Sequence, residues 1–241
     1  MNIISWNCNG AFRKKYKYLM EYNCEIVVIQ ECEDPNTVNY SEEFKTFMPN
    51  FIWVGDNKNR GLAVFSKYTL NDNLWDTGGN KYFISCKVNN EFNLLGVWCH
   101  KANSETFPYI GQMWRYLQIN KEKMRDKDIL ICGDFNSNKI WDRRSRWWNH
   151  SDVFNELEEL NIKSLYHQYY KDEQGKETIP TLYHTKNIEK PYHVDYILAS
   201  EKFCDSLLNF KIGDPKKWLE VSDHMPIFVE FKTRDLSKNY K

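Results

Sequence analysis

A short apolar run that ends in two polar side chains constrains this chain more than any other stretch. Residues 129–132 are apolar and partly β-branched, and Gly133, Asp134 and Asn136 follow them closely. Such a run predicts a buried strand, and Gly133 permits a tight turn at its end. Asp134 and Asn136 can then point at one spot and hold a water or a hydrated metal ion. The same two residues also fit a simple Asx-type turn. The residues at the other strand ends must therefore distinguish a functional site from a turn.

Length and composition restrict the classes of protein to which this chain can belong. The 241 residues suit one α/β domain over 1–241, with 232–241 as a polar, frayed tail. The 33 basic and 33 acidic side chains cancel, so any polyanion binding must be local. Seven cysteines without a CxxC pair indicate reduced thiols. Because we find no signal peptide and no apolar run of membrane length, we expect a cytoplasmic monomer that contacts no membrane.

Apolar runs of strand length alternate with segments of helical periodicity along the chain. Strands are predicted over residues 3–6, 25–29, 51–54, 62–66, 82–88, 92–99, 129–132, 182–184, 194–199, 207–212 and 227–231. Helices are predicted over residues 12–20, 41–47, 108–124 and 151–160. The strand–helix–strand start indicates a βαβ-like unit. Asn89 and Asn90 indicate the turn of a hairpin, and Ser151 is the expected N-cap of the last helix.

Polar side chains recur at the ends of the predicted strands. They are Asn7, Glu31, His100, Asp134, Asn136, Asp195, Asp223 and His224. Carboxylates rarely stand beside buried apolar runs without a partner or a metal ion. Oxygen ligands of this kind suit Mg²⁺, and the absence of a Cys/His ligand cluster argues against structural zinc. Taken singly, Asn7 also fits a turn residue and Glu31 a loop cap. His100 also fits a structural histidine, and Asp223 with His224 fits a loop ion pair.

The ordered set of motifs resembles the endonuclease/exonuclease/phosphatase superfamily, which has the fold of pancreatic deoxyribonuclease. The matching motifs are Ser-Trp-Asn (5–7), Gln-Glu (30–31), Gly-Leu-Ala-Val-Phe-Ser-Lys (61–67), Gly-Asp-Phe-Asn (133–136), Val-Asp-Tyr-Ile-Leu (194–198), Ser-Asp-His-Met-Pro (222–226) and the strand that ends in His100. They occur in the family's order and span nearly the whole chain. The resemblance implies an α/β fold, a four-layer α/β/β/α sandwich in which two mixed, mostly antiparallel sheets pack face to face between helices. It also implies metal-dependent cleavage of phosphoesters.

The resemblance further implies which residues hold the metal and the water. Glu31 would be the principal Mg²⁺ ligand, with Mn²⁺ as a substitute, and Asn7 and Asp223 would belong to the same metal set. Asp134 would orient or deprotonate the attacking water. Asn136 would hold that water or a phosphate oxygen.

The remaining matched residues would act on the phosphate and the leaving group. Asp195 would stabilise the site near the leaving group. His224, oriented by Asp223, would donate to a non-bridging phosphate oxygen. His100 would be a second phosphate-contacting histidine or a proton donor to the leaving oxygen.

A basic and aromatic loop follows the Gly-Asp-Phe-Asn motif and supplies the candidate substrate contacts. They are Arg143, Arg144, Arg146, Trp147 and Trp148. Arginines suit phosphates, and rings beside guanidinium groups suit stacking on unpaired bases, although a solvated basic face over packed aromatics fits equally. We therefore expect a nuclease or nucleic-acid phosphodiesterase, acting on DNA or RNA. A phosphatase or phosphodiesterase for a small or lipid-linked phosphoester is the alternative, and an inactive binding module is the third hypothesis.

Two departures from family subgroups narrow the substrate. Residues 98–103 lack the Tyr-x-Pro-Asn pattern expected of abasic-site endonucleases. Residues 191–196 lack the Pro-Ala-Trp-Cys-Asp-Arg-like block expected of inositol-polyphosphate phosphatases. Both subgroups are therefore less favoured than a general nuclease.

Overall fold

The computed structural model describes residues 1–101 and 105–232, so most of the expected tail, residues 233–241, lies outside it. The strands are β1 (Asn2–Asn7), β2 (Ile26–Cys32), β3 (Asn50–Asn57), β4 (Arg60–Ser66), β5 (Leu70–Asp72), β6 (Phe83–Val88), β7 (Phe92–Trp98), β8 (Ile129–Asp134), β9 (Ile162–Ser164), β10 (Leu182–Tyr183), β11 (Pro191–Tyr192), β12 (Asp195–Ser200), β13 (Leu207–Ile212) and β14 (Ile227–Phe231). The α-helices are α1 (Lys17–Met20), α2 (Glu42–Phe47), α3 (Ile110–Met124), α4 (His150–Glu159), α5 (Leu165–Tyr170), α6 (Glu201–Ser206) and α7 (Pro215–Trp218).

The strands form two large sheets and a small ribbon. The first sheet has the order β13-β14-β1-β2-β4-β3, the second has the order β5-β6-β7-β8-β12-β9, and β10 pairs with β11. β1 runs parallel to β2, and β7 runs parallel to β8, while the other pairs within the large sheets are antiparallel. This topology confirms the predicted mixed, mostly antiparallel sheets and the βαβ-like start.

Alternation along β8 shows how the layers stack. Ile129 and Ile131 pack into a core with α3 and α4, whereas Leu130 and Cys132 point the other way, into the core shared with the first sheet. The backbones approach closely there, because a Cβ added to Gly96 of β7 would meet valines of β2 and β4 at 3.2 Å. A strand buried on both faces has to be apolar throughout, as residues 129–132 are.

Helices on the far side of the first sheet complete the sandwich. The ring of Phe44 in α2 lies 5.4 Å from that of Phe65 in β4, and the ring of Trp218 in α7 lies 5.0 Å from that of Trp6 in β1. Burial of one such side chain contributes about 2 kcal/mol to stability. The four-layer α/β/β/α prediction is therefore confirmed.

Two helices begin at positions that the sequence did not predict. The segment predicted as one helix over 12–20 is a 3-10 turn that ends at Lys15 (φ −119°), followed by α1. Asn149, not Ser151, caps α4, and its backbone N–H donates to the Asp152 carboxylate at 2.7 Å. The Ser151 hydroxyl instead donates to Asp142, so it is not available to cap the helix.

The remaining secondary structure includes one predicted turn and several short elements that were not predicted. The Asn89–Asn90 turn joins β6 to β7 as predicted, with both residues at positive φ. The elements β5, β9, β11, α5, α6 and α7 were not predicted, since each is too short to show a clear period.

All seven cysteines are buried as free thiols. Over residues 1–101 and 105–232, no helix combines the length and apolarity that a membrane crossing requires.

A buried carboxylate anchors the loop that follows β8. Glu177 accepts a hydrogen bond from the Asn138 amide at 3.0 Å and from the Gly175 N–H at 3.0 Å, and it contacts His167 Nε2 at 3.1 Å. Burial alone would raise the pKa of Glu177, but the bonds from His167, Asn138 and Gly175 outweigh it and lower that pKa to about 2.

We expect Glu177→Gln to destabilise the protein in a pH-dependent way. The charged form is favoured by folding, so its contribution is present above the ordinary pKa of 4.5 and is lost as the pH falls towards 2. Urea unfolding should show a loss of about 3 kcal/mol at neutral pH that shrinks below pH ~4. The exposed Glu173→Gln is the control. A loss that does not change with pH would contradict this account.

Gly133 allows β8 to sit between two partner strands, and we expect Gly133→Ala to disturb this arrangement. A Cβ at this position would collide with the carbonyl oxygen of Val97 in β7. Thermal or urea unfolding should show a loss of about 3 kcal/mol. Gly79→Ala is the control, because Gly79 also has positive φ (76°) but no atom lies within 4 Å of its added Cβ, and its cost should be about 1 kcal/mol. Equal losses for the two variants would argue against the steric explanation.

Candidate active site

Both parallel strand pairs end at the same edge of the sandwich. β1 and β2 deliver Asn7 and Glu31, and β8 delivers Asp134 beside them. β12 begins there with Asp195, directly opposite Asp134 in the antiparallel register. The segment before β14 adds His224, which bridges to β10. Residues far apart in the chain therefore meet because strand directions and register bring their polar ends together.

Asp134 lies at the centre of this group and has no exposed surface. Its Oδ2 accepts hydrogen bonds from the side-chain amides of Asn7 and Asn136, each at 3.0 Å, and its Oδ1 accepts from the backbone N–H of Asn136 at 2.8 Å. Asn136 (φ 45°) also donates to the carbonyl of Cys99 at 3.1 Å. The Asx-type turn and the site are thus the same structure, and the turn holds the carboxylate in place.

His224 is oriented by Asp195, which corrects the prediction that Asp223 orients it. His224 Nδ1 lies 2.9 Å from Asp195 Oδ2 and 3.2 Å from Oδ1. Asp195 is itself positioned by Thr181, whose hydroxyl accepts the Asp195 N–H at 3.1 Å. Asp223 lies at a bend of the chain and is partly buried. Its charge still acts on His224, as the weakest of the effects on that histidine's pKa.

Two buried carboxylates face one imidazole in this group. The ligand atoms of Asp134, Asp195 and His224 lie within 4.8 Å of one another. Burial raises the pKa of Asp134 to about 7, and the charge of Asp195 adds to the rise. Burial opposes a charge on His224, but Asp195 and Asp134 outweigh it and raise the pKa of His224 to about 10. The two carboxylates outnumber the one imidazole, so the cluster favours the binding of an additional positive charge. Its oxygen and nitrogen donors fit a hard divalent cation.

Glu31 occupies a strained bend beside Asn7. It adopts φ 60° at a bulge in β2 opposite β4. Its Oε1 accepts from the Asn7 amide at 3.3 Å, and its Oε2 accepts from Arg60 Nε at 3.1 Å and from a second guanidinium nitrogen. The Arg60 guanidinium also lies 5.5 Å from the centre of the Trp98 ring. Arg60 therefore covers the Glu31 carboxylate, which the family resemblance predicts to be a metal ligand.

His100 lies at the rim of the site, on the chain just beyond β7. Its ring centre is 4.8 Å from that of Trp98 and 5.9 Å from that of Tyr82. Burial, followed by the nearby charge of Arg60, lowers the pKa of His100. His100 is thus close to the Glu31–Arg60 pair but outside the cluster of Asp134, Asp195 and His224.

A pocket of about 700 Å³ opens beside the buried carboxylates. Asn136 and Val194 line it on the side of the active site, and Trp141 and Tyr192 line it farther out. The rings of Trp141 and Tyr192 are 5.3 Å apart, and Trp141 is 41% exposed. The pocket therefore continues the site towards a partly exposed aromatic wall.

The predicted arginine contacts divide into two kinds. Arg143 and Arg146 line the pocket, whereas Arg144 is exposed outside its lining. Arg146 also braces the loop, because it donates to Asn149 Oδ1 at 2.9 Å and to the carbonyl of Trp141 at 3.1 Å. A substitution of Arg146 would thus disturb the loop as well as its charge.

Trp147 and Trp148 pack against other side chains and do not line the pocket. The Trp147 ring lies 4.7 Å from Trp114, and Trp148 lies 5.8 Å from Phe107 and 4.5 Å from the Arg146 guanidinium. The prediction that these two rings contact substrate finds no support in the lining of the pocket. Their direction follows from α3, which carries the complementary apolar surface.

Several site residues were missed by the sequence argument. Arg60 lies between the predicted strands 51–54 and 62–66, Thr181 next to a predicted strand, and Tyr192 in an unassigned segment. Trp141 belongs to the same basic and aromatic loop as Trp147 and Trp148. Its ring partner, Tyr192, is far from it in sequence, so no local pattern distinguishes Trp141 from Trp147.

Comparisons with known proteins agree with this geometry. The model of the Endonuclease/Exonuclease/phosphatase family matches residues 4–224. An AP endonuclease from Archaeoglobus fulgidus has a TM-score of 0.73 at 19% identity, covering 97% of this chain and 100% of that chain. With the same coverage, a Neisseria 3′ phosphatase bound to a product DNA hairpin has a TM-score of 0.73 at 18% identity. A 3′-5′ exonuclease from Neisseria meningitidis has 0.69 at 18%, again with 97% and 100% coverage.

At these identities the structural likeness shows the fold, and no curated protein matches the sequence. The family match is independent of that likeness and extends from β1 to His224, so it includes every strand end of the site. The two findings agree with the buried carboxylate cluster, and the family depends on divalent metal. The chain therefore belongs to the endonuclease/exonuclease/phosphatase family and is a hydrolase of phosphoester bonds.

Proposed function

We propose that this protein is a Mg²⁺-dependent phosphodiesterase that cleaves nucleic acid, with Mn²⁺ as a substitute cation. The cluster of Asp134, Asp195 and His224, buried and within 4.8 Å, carries the proposal. Buried carboxylates in such excess over positive charge are suited to a cation and a phosphate. The similar structures support the choice of polymer, since one of them holds a product DNA hairpin.

The metal set of the proposal comes from the ends of β1 and β2. Glu31 would hold the cation through its carboxylate and Asn7 through its side-chain oxygen. The Asn7 amide nitrogen donates to both Glu31 and Asp134 and so keeps the three side chains together. When bound, a divalent cation would offset the negative charge of the phosphate oxygens. Asp223 is only partly buried and stands outside the carboxylate cluster, so we assign it a contribution of charge and no ligand position.

The protein's own residues supply the proton chemistry. Asp134, whose pKa of about 7 lies near neutral pH, is suited to orient a water and accept its proton. Asn136 keeps Asp134 in that orientation through two hydrogen bonds. His224 binds Asp195 through Nδ1, which leaves Nε2 to donate to a phosphate oxygen.

Basic side chains at the rim would position the polymer. Arg143 at the pocket and the exposed Arg144 would contact phosphates that flank the cleaved one, and His100 beside Arg60 would contact the cleaved phosphate. Because the whole chain carries no net charge, this local concentration of positive charge is what attracts a polyanion.

We expect Asp134→Asn and His224→Gln to fold normally and to lose turnover by about 10²- to 10³-fold each, because each removes a polar group that acts in the transition state. The assay offers single-stranded DNA, duplex DNA, RNA and small phosphoesters with Mg²⁺ or Mn²⁺, with EDTA as the blank. The exposed Asp126→Asn is the matched control. Normal turnover in either active-site variant would reject the assignment, and cleavage of small phosphoesters alone would favour a phosphatase.

We also expect Arg60→Gln to bind divalent cations about fivefold more tightly, because a cation at Glu31 must first displace the Arg60 guanidinium. Calorimetric titration with Mn²⁺ in the absence of nucleic acid measures this directly. Arg125→Gln breaks the exposed pair with Glu122 and should leave the affinity unchanged. An unchanged affinity in Arg60→Gln would show that the cation does not use Glu31.

A further inference from the structure

We propose that the pocket between Trp141 and Tyr192, named here the Trp141 pocket, binds the base of an unpaired nucleotide next to the phosphate being cleaved. The inference rests on the proposed function and narrows its substrate class to single-stranded nucleic acid or unpaired ends. Its support comes from where the pocket lies, what lines it, how firmly its wall is held and how large it is.

The Trp141 pocket adjoins the active site through three residues. Asn136 lines the pocket and donates to Asp134 at 3.0 Å. Leu182 lines it and forms a β-bridge with His224. Val194 lines it and directly precedes Asp195. A phosphate held at the carboxylate cluster therefore places its attached nucleoside in or beside the pocket.

The lining suits a flat aromatic ligand with a phosphate nearby. Trp141 and Ile140 are 41% and 56% exposed, which is unusual for side chains this apolar that stand together at a cavity. Tyr192 provides a second ring, and Arg143 stands at the same pocket with a positive charge. A base would cover these rings and stack on them.

The wall that carries Trp141 is held before any ligand arrives. Arg146 donates to the Trp141 carbonyl, and Asn149 Nδ2 donates to the carbonyls of Arg143 and Arg146. Asp142 accepts the backbone N–H of His150 at 2.9 Å and so ties the loop to the start of α4. A loop backbone held in this way loses little conformational entropy on binding, which favours affinity for a stacked ligand.

The size of the pocket argues against a substrate that lacks a base. A volume of about 700 Å³ lies within the range of pockets that enclose a whole small ligand. An abasic sugar would fill only part of this volume. A base inside a duplex cannot reach it either without being unstacked and unpaired, which costs a few kcal/mol. Unpaired nucleotides are therefore the substrates that use the whole site.

The test compares ligands with and without a base. Wild-type protein with Ca²⁺ binds a fluorescent single-stranded DNA decamer, followed by anisotropy, with gels confirming that the decamer stays intact. We expect dAMP to displace it at about tenfold lower concentration than 2-deoxyribose 5-phosphate, the size of one base–aromatic stack. Equal potency of the two competitors, or no displacement by dAMP, would overturn the proposal.

Three variants assign the effect to the pocket. Trp141→Ala should abolish the tenfold advantage of dAMP, and Trp141→Phe should retain it because a ring remains. Trp147→Ala should also retain it, because Trp147 is 62% exposed yet lies outside the pocket. A loss in Trp147→Ala equal to that in Trp141→Ala would overturn the proposal.

Assays of DNA cleavage distinguish a failure of this inference from a failure of the proposed function. Faster cleavage of single-stranded than of fully paired DNA by the wild type, with the preference lost in Trp141→Ala, supports both. Equal cleavage of paired and unpaired strands overturns the inference and leaves the phosphodiesterase intact. A base-dependent binding advantage without cleavage of any polymer supports the pocket and rejects the proposed function.

Discussion

A carboxylate without any contact with water must be held by hydrogen-bond donors or balanced by positive charge, and Asp134 depends on both. Asn7 and Asn136 supply the donors, and the imidazole of His224 supplies charge nearby. Asn7 belongs to the first sheet and Asp134 to the second, so this hydrogen bond joins the two halves of the sandwich. The same bond holds the oxygens that the chemistry requires, which means that the packing of the sheets and the geometry of the site cannot vary independently.

The loop after β8 is also held by side-chain hydrogen bonds, and it leads from the active site to the pocket. Asn138 ties its beginning to Glu177, Asn149 ties its end to the arginine carbonyls, and Asp142 accepts the first backbone N–H groups of α4. Each of these side chains satisfies backbone groups that an irregular segment would otherwise leave to water. As a result, a mostly irregular segment is held by side-chain hydrogen bonds at its beginning, middle and end. The partly exposed ring of Trp141 owes its position to this arrangement.

Sequence reasoning succeeded where the signal was local. The apolar run over 129–132, the Asn89–Asn90 turn and the polar residues at strand ends were all visible from neighbours in the chain, and the structure confirms the strands and the fold. It failed where direction mattered. Asp223 is adjacent to His224 in sequence, but Asp195 is the residue that contacts its ring. Trp147 and Trp148 resemble Trp141 in composition and context, but they face α3.

The sequence by itself determined the family, the layered α/β architecture and the identity of the polar groups at the strand ends, because these follow from periodicity and from ordered motifs. Only the tertiary structure decided which of those groups touch. The Glu31–Arg60 pair, the Asp195–His224 pair and the facing rings of Trp141 and Tyr192 each join segments that are far apart in the chain. Contacts of this kind depend on sheet register and on side-chain direction at turns, which no local pattern encodes.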